Sequence, residues 1–451
     1  MRRRTSAALA ASLLAAGLTP LVLTTPASAA VAKHYDDFNG DGYRDLAYGN
    51  YYTSISGTGG WKGGAVTVVY GTASGLDTAH PQVVHQDSAG IPGTGEEDDS
   101  FGESLASADL NKDGYADLVV GNPTEKVGSY DYRGTVTIVW GSRSGLSGGT
   151  SVAPKSGEAD QFGDDLATGD FNGDGSPDLA VIGGQEAWLH RGSFTKSGAT
   201  GTVSKIDKAD AGWYSYGLEA GKVNGDGKTD LVVLGAQFSG DDVFSRVWFL
   251  KGASSGLMSG APKTVGSDAT TAAIGDFDKD GYGDIALGQP DRNTSRGAVI
   301  VWRGTASGPS GSTTFTQATS GVSGTPEDND DFGYAVSAAD VNGDGYADLA
   351  IGVPYEDVGG NEDQGGVHLF RGGSGGLSGA RSSWIPQTVT GADGSDASFG
   401  FQLRLGDLND DGKADLAVGA TNGALVLRGT ATGATASGAV TLPEYGGAFL
   451  D

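Results

Sequence analysis

One nine-residue pattern recurs seven times in this 451-residue chain, beginning at Asp37, Asp109, Asp170, Lys222, Asp276, Asp340 and Asp407. Its oxygen-bearing side chains fall at positions 1, 3, 5 and 9, and position 6 is always glycine. Carboxylates at alternate positions of a tight loop converge on one point, and the main-chain carbonyl of position 7 faces the same point. That is the donor set of a hard cation such as calcium, which takes six to eight oxygens at roughly 2.3–2.6 Å. The candidate metal residues are Asp37, Asn39, Asp41, Tyr43 and Asp45 in the first loop. The second offers Asp109, Asn111, Asp113, Tyr115 and Asp117, and the third Asp170, Asn172, Asp174, Ser176 and Asp178. The fifth offers Asp276, Asp278, Asp280, Tyr282 and Asp284, and the sixth Asp340, Asn342, Asp344, Tyr346 and Asp348. The seventh offers Asp407, Asn409, Asp411, Lys413 and Asp415.

The fourth copy differs. Lys222 stands at position 1, where its ammonium is expected to take the place of the ion and pair with the carboxylates, so no calcium is expected there and about six sites remain. The fifth copy has aspartate at position 3 as well, giving four carboxylates, and is expected to bind most tightly. An EF-hand begins the same way but needs glutamate at position 12. Here position 12 is Tyr48, Val120, Val181, Val233, Leu287, Ile351 or Val418. An alternative without metal is a set of Asx-rich turns, which seven related copies disfavour.

Those position-12 residues lie in apolar runs such as Asp117-Leu118-Val119-Val120-Gly121, so each loop opens into a strand. Phe-Gly pairs precede four of the loops at Phe101, Phe162, Phe332 and Phe399. Repeats four and five have Tyr214-Ser215 and Asp268-Ala269 instead. A Gly-x-Pro follows the strand at Gly121, Gly288 and Gly352. A third strand comes next, then a Gly/Ser turn and a weaker fourth strand. Four short antiparallel strands with glycine-rich turns describe a propeller blade. Trp140, Trp188, Trp248 and Trp302, with Tyr70 and Phe370, are expected to share one position on the third strands and to pack between blades. Two Gly-x-Ser-x-Gly matches, at Gly252 and Gly372, fall in the third turn and read as turn chemistry rather than a nucleophile elbow.

Taken in register, the Phe-Gly, Gly-x-Pro and acidic-loop motifs resemble the FG-GAP repeats of integrin α-subunit propellers and of bacterial integrin-like proteins, over residues 31–451. The resemblance implies an all-β fold, a seven-bladed β-propeller with calcium between the first and second strands of several blades. Ring closure is expected from the C-terminus, where Tyr445-Gly446 looks like an eighth Phe-Gly start that completes blade one. The resemblance also points to the face opposite the acidic loops for ligand binding. Candidates there are Tyr51, Tyr52, Trp61, Tyr130, Tyr132, Arg133, Trp213 and Tyr355.

Residues 1–30 read as a secretory signal: Arg2–Arg4, an apolar stretch from Ala7 to Leu23, and Ala27-Ser28-Ala29 as the cleavage motif. The expected product is secreted and monomeric, with no membrane span after cleavage. A formal charge of −27 argues against nucleic acid as partner. His80 and His85 are expected at the surface, and the acidic runs before Phe101 and Phe332 as solvated rims. No catalytic constellation stands out. The expected role is an extracellular binding or adhesion module for a protein or glycan. The alternative is a lectin-like or polysaccharide-active propeller, a lyase or hydrolase.

Overall fold

The computed structural model describes residues 32–450 apart from 52–62, 155–159, 199–200, 207–212, 241, 260–262, 391–393, 422 and 444. The leader, Tyr52 and Trp61 lie outside the described residues. The strands pair as seven antiparallel sheets, each in chain order, which is the arrangement of seven blades. Blade two is representative: Leu105–Ala108, Asp117–Asn122, Thr135–Val139 and Gly149–Val152 run from the axis outward. First strands of neighbouring blades lie side by side from blade two round to blade seven.

The apolar core is not central. It is divided into seven clusters, each shared by two adjacent blades, so the seams hold the ring together. The second strands are buried on both faces, which is why their sequences run continuously apolar instead of alternating. Position 2 of every acidic loop enters such a seam. Phe38, Leu110, Phe171, Val223, Phe277, Val341 and Leu408 are all at most 2% exposed. This seven-fold apolar anchor was visible in the sequence and belongs to the motif as much as the carboxylates do. Around the axis the walls are small residues, among them Ala106, Ala167, Ala220 and Ala338, which line a cavity of about 380 Å³.

The Phe-Gly pairs have a specific task. Each phenylalanine is buried, and each glycine has φ between +94° and +102°, a region that favours residues without Cβ. The Phe-Gly glycine faces the Gly-x-Pro glycine of the preceding blade. A Cβ on Gly121 would lie 2.2 Å from the Gly163 carbonyl oxygen, and one on Gly352 would lie 2.0 Å from that of Gly400. The two motifs are therefore halves of one backbone-to-backbone seam.

Blade one supplies Leu46–Gly49, Val66–Val69 and Gln82–Val84. Its innermost strand comes from the other end of the chain, as expected. Phe449 pairs with Tyr48, Gly49 donates its N–H to the Ala448 carbonyl at 2.8 Å, and Leu450 donates to Ala47 at 2.9 Å. Phe449 stands opposite Tyr48 as Leu105 stands opposite Val120, which makes Tyr445-Gly446 the register equivalent of Phe101-Gly102.

Two expectations are corrected. The third-strand aromatics occupy three register positions, not one. Trp302 and Phe370 face Ile285 and Leu349, Trp188 and Trp248 face Val181 and Val233, and Trp140 and Tyr70 lie one residue beyond the paired stretch. All still pack at seams. His85 is 9% exposed, not a surface residue. The acidic runs are largely solvated, as expected, but each holds one buried cap: Asp99 and Asp330 accept the N–H groups of Glu96 and Glu327 at 2.7 and 2.6 Å.

Candidate metal centres

Each acidic loop is a nest of backbone N–H groups closed on its own side chains. In the first loop Asp37 accepts from Gly40, Asp41 and Gly42 at 2.7, 3.1 and 2.9 Å. Asn39 accepts from Asp41, and Asp41 from Tyr43. Asp109, Asp170, Asp276, Asp340 and Asp407 accept the equivalent position-5 and position-6 N–H groups. The Asx-turn bonding is thus real. It shapes the loop and leaves lone pairs free, since a carboxylate has about four acceptor sites.

Position 9 is a staple. Asp45 accepts from Phe38 N–H at 2.8 Å and from Gly71 N–H at 2.9 Å, tying the loop to the end of the third strand. Asp117, Asp178, Asp230, Asp284, Asp348 and Asp415 accept likewise from Gly141, Gly192, Gly252, Gly304, Gly372 and Gly429. Those third-strand glycines are obligatory. A Cβ on Gly141 would lie 2.0 Å from the Ala116 carbonyl oxygen, and one on Gly304 would lie 2.2 Å from that of Gly283.

The loops also lock to one another. The position-8 N–H of one loop donates to the position-1 carbonyl of the loop before it. Ala116 reaches Asp37, Thr229 reaches Asp170, Gly283 reaches Lys222, Ala347 reaches Asp276 and Ala414 reaches Asp340, all between 2.8 and 3.1 Å. The third loop has Pro177 at position 8 and so has no N–H to give to Asp109.

Burial pushes the position-9 carboxyls up, to about 8 for Asp45, about 7 for Asp117, and about 6 for Asp178, Asp284, Asp348 and Asp415. The carboxylates at positions 1 and 5 of the same loops push in the same direction. A divalent cation would relieve both effects, and every donor in reach is a hard oxygen. One oxygen each of Asp276, Asp278 and Asp280 lies within 4.8 Å of the others, close enough to share an ion. The residues fit calcium.

Two loops depart from expectation. Lys222 is exposed, and Asp226 is approached by Lys228 at 3.8 Å and Lys251 at 3.4 Å. The cations that neutralise this loop therefore come from position 7 and from the third strand, because Lys222 projects outward. In loop five the guanidinium of Arg303 lies 2.7 Å from Asp278 and 2.9 Å from Asp280.

On the opposite face, Tyr130 and Tyr132 are 61% and 55% exposed, and Arg133 stacks over the Tyr130 ring with its Cζ 4.6 Å from the centroid. Tyr355 does not stand free; it packs edge-on against Tyr334 at 6.1 Å, which lies 4.6 Å from Phe401. Tyr51 is half-buried, and Trp213 is placed by its backbone pairing with Gln237. The sequence reading missed blade four's long hairpin, Asp230–Ser239 with Asp242–Ala253. It carries Phe238, Val243 and Phe244 into solvent at 44%, 59% and 37% exposure. The signal was an apolar strand that runs on past its Leu234-Gly235 instead of turning.

A propeller of calcium-type loops is the class that fold and site define. FG-GAP repeat models match residues 101–139, 269–302, 332–370 and 399–442, and an FG-GAP-like repeat model matches 170–233. The chain is a seven-bladed β-propeller built of FG-GAP repeats. It is 26% identical to mouse integrin alpha-8 over 295 residues, 56% of this chain and 26% of that protein. It is 33% identical to human phosphatidylinositol-glycan-specific phospholipase D over 152 residues, 30% of this chain and 18% of that protein. The matches thus span about a quarter or less of these relatives. The Dos1 propeller superposes with a TM-score of 0.46 at 12% identity, over 88% of this chain and 83% of that one.

Proposed function

We propose that this protein is an exported, calcium-stabilised binding or adhesion module. It engages an extracellular protein or glycan through the face opposite the acidic loops. The observation that carries the reading is the division of labour between the two faces. The acidic loops are interlocked, with their ligand side chains turned into their own backbone, which suits a structural ion. The strand-two-to-three connections opposite them present Tyr130, Tyr132 and Arg133 to solvent. Aromatic and arginine side chains supply contact area on a rigid scaffold. Similarity to an integrin α-subunit supports a protein ligand. Calcium is assigned to the six loops with aspartate at position 1 and not to the loop at Lys222, where Lys228 and Lys251 already neutralise Asp226. No helix among the described residues is long and apolar enough to cross a membrane.

The test is binding of the chain, in calcium, to an array of extracellular polysaccharides and to candidate surface proteins, with released sugar assayed in the same wells. Saturable binding that is lost when Tyr130, Tyr132 and Arg133 are replaced by alanine supports the module. Sugar release would replace it with the polysaccharide-active alternative. Binding that survives those replacements would move the site elsewhere on the ring.

A further inference from the structure

The residue before the third-strand glycine occupies one register position in all seven blades: Tyr70, Trp140, Arg191, Lys251, Arg303, Arg371 and Arg428. Each stands beside its own acidic loop, because the following glycine is bonded to that loop's position-9 carboxylate. Arg191 and Arg428 turn away and donate to the Ser254 and Ser74 carbonyls of the next blade at 3.0 and 2.9 Å. Arg303 turns inward, to Asp278 and Asp280. Among these three arginines the difference tracks position 3, although Lys251 also reaches inward, 3.4 Å from Asp226, in a loop with Asn224 there. The fifth loop has aspartate there, and the loops beside Arg191 and Arg428 have asparagine. The fourth carboxylate draws the guanidinium in, so the loop with its arginine carries the same net charge as a three-carboxylate loop.

We infer that Arg303 is a built-in competitor for the cation at loop five, and that it sets the affinity and selectivity of that site. This rests on the calcium reading of the loops. The guanidinium holds one oxygen of Asp278 and one of Asp280, two members of the three-carboxylate cluster. A divalent ion must displace it to gain both carboxylates. The displaced side chain has room: Arg303 is 61% exposed and borders a cavity of about 320 Å³ floored by Ser312 and Thr313. The affinity of this site is therefore not set by its four carboxylates alone. A small ion of high charge displaces the arginine more readily than a monovalent one, so the residue also discriminates against sodium and potassium.

The experiment is a chelator-competition calcium titration of the intact chain, comparing the wild type with Arg303→Met, Asp278→Asn and the double variants Arg303→Met/Asp276→Ala and Arg303→Met/Asp278→Asn. Methionine keeps the aliphatic stem, and near-ultraviolet circular dichroism reports the fold. Arg303→Met is expected to tighten one site by about tenfold, the scale of one unit charge in contact at a solvent-facing site. The gain should vanish with Asp276→Ala, which removes the site. It should shrink with Asp278→Asn, which removes the reason for the arginine's inward turn. An unchanged isotherm for Arg303→Met, or a gain that survives Asp276→Ala, overturns the inference while leaving the calcium reading intact. Absence of calcium binding by the wild type overturns both.

Discussion

Asp36 and Arg404 are 368 positions apart in the chain, yet their carboxylate and guanidinium meet at 2.6 Å with the side chains 0% and 4% exposed. Arg44 reaches the other Asp36 oxygen at 2.8 Å, and Arg404 also donates to the Leu450 carbonyl. Asp36, the C-terminal Leu450 and the first strand of blade seven, Gln402–Gly406, are thus gathered at one point. This is the seam where the ring closes, and it carries a charge pair as well as an apolar cluster.

Breaking that pair is expected to be costly. Arg404→Met leaves Asp36 buried with Arg44 alone and removes a donor from the Leu450 carbonyl. The expected loss is about 3 kcal/mol or more in urea unfolding, because a buried charge loses its partner. A loss below ~1 kcal/mol would show that the pair is no more than a surface contact in solution.

The C-terminal strand is expected to matter as much as any internal one. Phe449 is 5% exposed in the cluster between blades seven and one. Phe449→Ala should cost about 3–5 kcal/mol, as for a buried phenylalanine elsewhere. Deleting residues 446–451 should lower Tm further, because blade one then lacks its inner strand. A truncated chain that melts like the full one would contradict closure from this end.

Glycine at the end of each third strand gives a sharp contrast. Gly141→Ala places a Cβ 2.0 Å from a backbone oxygen, whereas Gly375→Ala meets nothing within 4 Å and has no positive φ. The first should destabilise by several kcal/mol and disturb the Asp117 staple, and the second should be neutral within about 0.5 kcal/mol. Equal Tm values for the two variants would refute the seam geometry.

Calcium removal tests the loops directly. At ten times its Kd each occupied site adds about 1.4 kcal/mol, so chelation should lower Tm by many degrees. Asp41→Ala should shrink that shift, and Asp226→Ala, in the lysine-neutralised loop, should leave it unchanged. An identical melt with and without chelator would remove calcium from the account.

Two histidines set a pH dependence. Burial lowers His190 and His368 to about 4. Neither ring nitrogen has a hydrogen-bond partner; the rings pack against Phe162 at 6.0 Å and Phe332 at 5.6 Å. Above pH 6.5 both are neutral folded or unfolded, and there is no effect. Between 6.5 and 4 the unfolded chain takes up protons that the folded chain refuses, so stability falls with pH, by about 2 kcal/mol per histidine at pH 5. The buried position-9 carboxyls, raised by burial, act in the opposite direction. The measurement is therefore the difference between wild type and His190→Phe or His368→Phe at pH 7 and pH 5. The variants should lose less on acidification, and parallel losses would refute the assignment.

Much of this protein was written in the order of its residues. Position 6 glycine, alternate carboxylates and the strand after each loop are local patterns, and each copy repeats in sequence what it builds in space. The closing strand at Tyr445-Gly446 was legible for the same reason, as one more copy of a motif. Seams were not. That Gly121 meets Gly163, that Ala116 donates to Asp37, and that Asp36 meets Arg404 depends on which blade stands beside which. The direction taken by Arg303 depends on the local field of Asp278, not on the repeat that places it. Local motifs specify the blade because the contacts within a blade are close in sequence. Only the closed ring brings distant backbones and charges such as Asp36 and Arg404 within hydrogen-bond distance.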